Sequence, residues 1–353
     1  MSFAVTGCNA KATPDIQPHL ISVPEKSPVR PIDSREAIAM SEFTGALTNE
    51  QMHARLEELF TIVVYEGGKP EFYGDDPVQP VYDSAIAVLD KIILNKWHGT
   101  ADGEMNIVHS IHDWLVTRID YDFELYERYQ ANTGGDEFKY NPAFDISGVF
   151  LNGRAVCDGI SRAFVFMCAV EGVDALRVTG AYGNVPHAWN KVRLNGEWYN
   201  VDVTADMVNY NIDGGVYYKQ LSHGYFLIGD ETITGFKPTA HVFAHEMYPA
   251  TSDYDYFAGK RILIGGDEYS ITVKNQAELN AVFSAINKNR KNVGKIELKL
   301  DFEGKTEVNN ADMYKTEIAE AYKKLKFADF DMSQDNPPYF RYPNGVYVFL
   351  MYK

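Results

Sequence analysis

A cysteine in GVFLNGRAVCDGISRAF, a histidine thirty positions on in VPHAWNKVRL and an aspartate fifteen beyond that in EWYNVDVTAD bring three reactive residue types into one compact segment. They are Cys157, His187 and Asp202. Together they are the set that thiol acyl transfer requires. A thiol attacks a carbonyl as its thiolate, an imidazole takes up a proton and later returns it to the leaving group, and a carboxylate fixes the orientation of that imidazole.

The elements that must position these groups follow from local signals. HAWNKVRL and EWYNVDVT are strand-like runs joined by Asn195-Gly196, the strongest two-residue hairpin signal. With Leu194 and Glu197 flanking a two-residue loop, Trp189 lies opposite Asp202 and His187 opposite Thr204. His187 and Asp202 are then diagonal neighbours on one face, roughly 7–8 Å apart at the backbone and within side-chain reach. The same register makes Asp206 the other diagonal neighbour, so geometry alone leaves two candidates for the orienting acid.

Cys157 opens a helix. Ile160, Phe164, Met167 and then Val170 or Glu171 recur at three- and four-residue steps, and Gly172 is a stop signal. A helix N-terminus carries partial positive charge and favours a thiolate, as does a neighbouring imidazolium. Asp158 opposes part of this if its charge lies beside the sulfur, although it suits the helix dipole.

These segments resemble the transglutaminase-like branch of the papain-like cysteine enzymes, particularly the bacterial transglutaminase-core proteins. Family members read G-x-L-x-x-G-x-A-V-C-x-G-x-(S/A) and H-A-W-N-x-V-x-L-x-G-x-W-Y-x-V-D-x-T; this chain has GVFLNGRAVCDGIS and HAWNKVRLNGEWYNVDVT, with YFLIGDE later. The resemblance implies Cys157 as nucleophile, His187 as general base and later general acid, and Asp202 rather than Asp206 as orienting acid. It covers about residues 80 to 250. Two positions depart from many bacterial relatives, Asp158 where they have Gln and Ala205 where they have Trp. These bear on substrate preference rather than on the chemistry. The fold implied is α+β, a papain-like core of helices packed on an antiparallel sheet. The activity implied is thiol-dependent acyl transfer on peptide or protein amides through a thioester. Water as acceptor makes a peptidase or amidase, and a primary amine makes a cross-linking transglutaminase. The other reading is a catalytically silent module of the same fold that binds peptides or cell-wall glycans in its cleft.

Composition fits a globular enzyme: 353 residues, 45% hydrophobic and 13% aromatic, enough for two or three domains with sizeable cores. A formal charge of -16 and a pI near 5.0 speak against nucleic acid or anionic membranes as partners and for neutral or basic substrates. No run of about 18 or more apolar residues offers a membrane span. Three cysteines make no disulfide framework. Cys168 lies about 16 Å along the helix axis from Cys157, so the two cannot bond, and it reads as a core thiol. Val5-Thr6-Gly7-Cys8 resembles a bacterial lipobox, which implies a lipid anchor at Cys8 and an extracytoplasmic location. Only seven residues precede it, however, too few for the charged and apolar regions of a signal peptide.

Along the chain we expect a flexible tether over 1–33, an N-terminal extension over 34–79, the catalytic core over 80–250 and a small α+β domain over 251–353. Helices are expected over Asn49–Val64, Tyr82–Trp97 (with an Asp83 or Ser84 cap) and Glu104–Ile119, and an irregular passage over Tyr121–Asp145. In the last domain RILIGGDEYSITV, KIELKLDF and GVYVFLMY read as strands, and Gln276–Asn289 and Met313–Leu325 as helices. This last domain carries no recognisable chemistry and reads as a binding or spacing module. His241, His245 and Glu246 have the spacing of some zinc sites, but the order is wrong for the metalloprotease motif. Pro238 and Tyr248-Pro249 also oppose a helix there. These histidines, with His109 and His112, read as solvated or structural. No metal or other cofactor is expected, and no EF-hand loop is present.

Overall fold

The structure is a computed structural model. It describes residues 30–353 except 44, 94–96, 99, 101, 132–134, 136–137, 213–215, 238, 244–247, 290–295, 306–312, 326–338, 344 and 351–353. Cys8, the tether as far as residue 29, His245 and Glu246 therefore lie outside the described residues. No described helix is long and apolar enough to cross a membrane.

The first part is helical. Helix α1 (Asn49–Phe60) starts at a capping box, Thr48 with Gln51, and runs on into a wider turn over Thr61–Tyr65. Helix α2 (Gln79–Ile92) begins three residues earlier than expected. Pro80 occupies its first turn, where the missing N–H costs nothing, so neither Asp83 nor Ser84 is a cap. Helix α3 (Gly103–Arg118) follows the expected span. The passage over Tyr121–Asp145 is more ordered than the sequence suggests, because it contains a helix, α4 (Phe123–Ala131). Leu125 is its only fully buried residue; it packs in a small cluster with Phe138, Ala143 and Val156.

Helix α5 (Cys157–Val170) is the centre of the molecule. From Gly159 to Val170 every residue except Arg162 is buried, the composition of a helix covered on all sides. It packs against α3 and against an antiparallel sheet of five strands: β1 (Ala175–Tyr182), β2 (Val185–Leu194), β3 (Glu197–Val201), β4 (Phe226–Ile228) and β5 (His241–Val242). Their spatial order is β4-β3-β2-β1-β5. The architecture is thus α+β, with helices packed on an antiparallel sheet.

A second hydrophobic cluster forms further along. Strands β6 (Thr272–Val273), β7 (Ile296–Leu300), β8 (Tyr339–Tyr342) and β9 (Gly345–Leu350) make a sheet in the order β6-β7-β9-β8. Helices α6 (Gln276–Asn289) and α7 (Lys315–Tyr322) pack against it, with Phe283, Leu298, Ile318 and Val348 at the centre. Strand β8 had no counterpart in the sequence reading. Tyr342 and Tyr347 of this sheet belong to the core built around α5 rather than to the second cluster.

Candidate active site

The hairpin forms in the expected register. Leu194 pairs with Glu197 and Asn190 with Val201, while Asn195 at φ 51° and Gly196 at φ 90° make the left-handed turn. The ladder stops there. Asp202 donates its backbone N–H to Tyr225 O at 3.1 Å and the chain turns, with Asp206 N–H closing back on Asp202 O at 3.1 Å. The turn separates the two candidate acids. His187 Nε2 is 2.8 Å from Asp202 Oδ2, whereas Asp206 Oδ2 is 3.1 Å from Nε2 of His112 on α3.

Cys157 is the first residue of α5, partly exposed, with Val156 as the capping residue. Gly159 lets this end of the helix meet the chain before it, since a Cβ there would lie 2.5 Å from Ala143 O and 2.9 Å from Asp145 O. Asp158 is held by Arg177 at 2.5 Å, which neutralises its charge near the helix start. The imidazole of His187 lies within electrostatic reach of the Cys157 sulfur. Since Asp202 takes Nε2, Nδ1 is the nitrogen left to serve the thiol.

Protonation follows from the surroundings. Burial alone would depress His187, but the charge and hydrogen bond of Asp202, together with Cys157, push it up to about 10. Burial would raise Asp202, yet the charge of His187 and the hydrogen bonds from His187 and His241 hold it well below the usual carboxylate range. His187 is therefore an imidazolium at neutral pH. Trp189 stacks on it with ring centroids 6.0 Å apart and planes 14° apart, covering one face.

Two features of the site were not legible in the sequence. His241 Nε2 is also 2.8 Å from Asp202 Oδ2, so one carboxylate oxygen is shared by two imidazoles. Pairing of His241 with Tyr182 across β5 and β1 brings it there, a contact no local pattern announces. Tyr121 lies against Cys157, and burial together with that sulfur pushes its phenol far up. Its only sequence signal was a position in a passage read as irregular.

His109, His112 and His223 form a separate network, while His53 pairs with Asp145 and His98 with Glu171. Asp113 of α3 accepts from His112 and His223 at 3.0 Å each and lies 3.1 Å from Nε2 of His109. His223 reaches Glu297 of β7 through its other nitrogen at 2.6 Å. Burial opposes its charge, but Glu297 and Asp113 push His223 up to about 10. His109, Asp113 and His223 bring ligand-type atoms within 4.8 Å of one another, as do His187, Asp202 and His241, and His53, Glu57 and Asp145. In the first group both nitrogens of His223 already serve carboxylates, which satisfies an imidazolium better than a metal ligand.

Residues 93–203 match the family profile of the transglutaminase-like superfamily, a span that includes Cys157, His187 and Asp202. The kyphoscoliosis peptidase of Mus musculus is 30% identical over 116 residues, 30% of this chain and 16% of that protein. Its counterpart from Homo sapiens is 28% identical over 139 residues, 35% of this chain and 19% of that protein. The chain thus spans less than a fifth of the length of these curated relatives. A crystal structure of a TGase aligns at a TM-score of 0.32 and 18% identity, covering 44% of this chain and 38% of that one. Residues 93–203 form a transglutaminase-like domain, of a superfamily that generally covers cysteine protease or acyltransferase activity.

Proposed function

We propose that the chain is a thiol-dependent acyl-transfer enzyme acting on peptide or protein amides, with Cys157 as nucleophile, His187 as general base and acid, and Asp202 as the residue that orients His187. The observation that carries this reading is the 2.8 Å contact between His187 Nε2 and Asp202 Oδ2, with Cys157 at the start of α5 within electrostatic reach of the same imidazole. The sulfur attacks the amide carbonyl and forms a C–S bond. As the C–N bond breaks, the proton on His187 passes to the departing amine, leaving a thioester on Cys157. Attack by water or by a primary amine, with its proton taken back by His187, breaks the C–S bond, frees the acyl group and restores the thiolate beside the imidazolium. The backbone N–H of Cys157, one of the first-turn donors of a helix N-terminus, would hold the oxyanion. The net charge of -16 favours neutral or basic acyl donors over acidic ones.

The test is the pH dependence of iodoacetamide alkylation at Cys157, followed by peptide mass spectrometry in wild type and His187→Ala. Fast labelling at pH 6 that disappears in His187→Ala is expected. Slow labelling in both folded proteins would overturn the enzyme reading and favour a binding module. Scoring ammonia release, with and without added primary amine, on glutamine-containing peptides then separates hydrolysis from transamidation.

A further inference from the structure

His241 is buried at the edge of the sheet, 1% exposed, among the rings of Trp189 (centroids 4.7 Å apart), Tyr182 (5.1 Å), Tyr225 (5.6 Å) and His187 (5.6 Å). Its Nε2 is 2.8 Å from Asp202 Oδ2, the oxygen that also takes His187, while Asp202 Oδ1 accepts from the backbone N–H of Ala205 at 2.9 Å. The Nδ1 atom of His241 has no hydrogen-bond partner among the described residues. With an ionised carboxylate at Nε2 and no partner for Nδ1 among the described residues, the ring carries one proton, on Nε2. A second proton would have no acceptor among the described residues, and burial depresses its pKa. The position is built: β5 closes on β1 at Gly180, where a Cβ would lie 2.1 Å from Val242 O.

We propose that His241 is a positioning residue, a neutral hydrogen-bond donor that fixes the Asp202 carboxylate so that Oδ2 stays aimed at His187. This rests on the triad reading above. A carboxylate with the Ala205 N–H on Oδ1 and two imidazole N–H groups on Oδ2 has little freedom to rotate about χ2. Without His241, Oδ2 keeps one donor, and the carboxylate turns away from the line on which His187 faces the thiol. His241 does not touch substrate or sulfur, and its effect passes entirely through Asp202.

The experiment compares wild type, His241→Phe, His241→Gln and His187→Ala by the pH–rate profile of Cys157 alkylation from pH 5 to 10, each shown to be folded by circular dichroism. His241→Phe should slow labelling at pH 6 about tenfold, the order expected for losing one hydrogen bond to a charged group. It should also move the lower limb of the profile toward that of an ordinary thiol. His241→Gln, whose amide donates from nearly the same place as Nε2, should restore most of the rate. Equal slowing in Phe and Gln would point to packing and overturn the proposal. So would a wild-type profile in His241→Phe while His187→Ala loses the pH 6 rate, a result that leaves the triad standing. Should His187→Ala keep the wild-type profile, the triad reading itself fails, and this proposal with it.

Discussion

Asp202 and Asp206 stand four residues apart at the end of one hairpin, both fully buried, and each meets a histidine Nε2 through Oδ2. They differ in how readily each takes up a proton and in what lies beyond the imidazole. Asp202 gathers His187, His241 and the Ala205 N–H and is held well below the usual range, whereas burial pushes Asp206 up to about 6 against the pull of His112. The second nitrogen decides the role. On His187 it is left over, with the partly exposed Cys157 thiol within electrostatic reach of the ring. On His112 it is locked by Asp113 at 3.0 Å, which leads on through His223 to Glu297. One His–Asp pair opens onto a reactive atom; the other ends in more protein.

Breaking each pair in turn should expose this asymmetry. The largest effect is expected in Asp202→Asn, with Cys157 alkylation at pH 6 falling roughly a hundredfold as His187 loses the carboxylate that orients it. Asp206→Asn should change the same rate by less than about twofold, and a reversal of the two results would assign the orienting role to Asp206. In His223→Phe, which leaves Asp113 and Glu297 without their imidazolium, stability should drop by about 3–5 kcal/mol. That drop is read from urea unfolding, with the pH 6 labelling rate of the folded protein unchanged.

The pH dependence of stability sharpens the contrast further. His223 and His187 are both raised to about 10 from an unfolded value near 6.5. A raised histidine contributes stability that is complete below about pH 6.5 and is lost as the pH rises through the folded pKa. The melting temperature should therefore fall between pH 7 and pH 10, and His223→Phe should flatten part of that slope; an unchanged slope would mean that His223 carries no proton there. The smallest effect is expected at the turn. Asn195→Ala, forced to φ 51°, should cost about 1 kcal/mol and leave both carboxylates in place. A large loss of labelling in that variant would show that the turn sets the position of Asp202 directly.

The sequence disclosed what local physics controls. The register of the β2–β3 hairpin followed from Asn195-Gly196, and the start of α5 at Cys157 followed from apolar spacing and the stop at Gly172. The α6 helix was likewise legible from end to end. What stayed hidden depended on distant chain. Asp206 leaves the face of His187 only because the strand stops at Val201 and turns, and His241 reaches Asp202 only through pairing with β1. Residues such as His109 and His112 were readable as structural one at a time, while the network joining them through His223 to Glu297 spans more than seventy residues of separation at its last link. The α4 helix was missed because only Leu125 in it is buried, too little to set a clear periodic signal.

Glu297 has a practical consequence for anyone who wishes to work with a smaller piece of this protein. The texture of the sequence changes near residue 251, which invites a cut there. Such a fragment would keep His223 but lose the carboxylate on its Nδ1, and would lose Tyr342, whose ring fills the space that a Cβ at Gly224 would need, 2.0 Å away. It would also expose the part of the α5 core that Tyr347 covers. Insolubility of that fragment would say nothing about the chemistry at Cys157, because the last sheet acts as a wall of the same room.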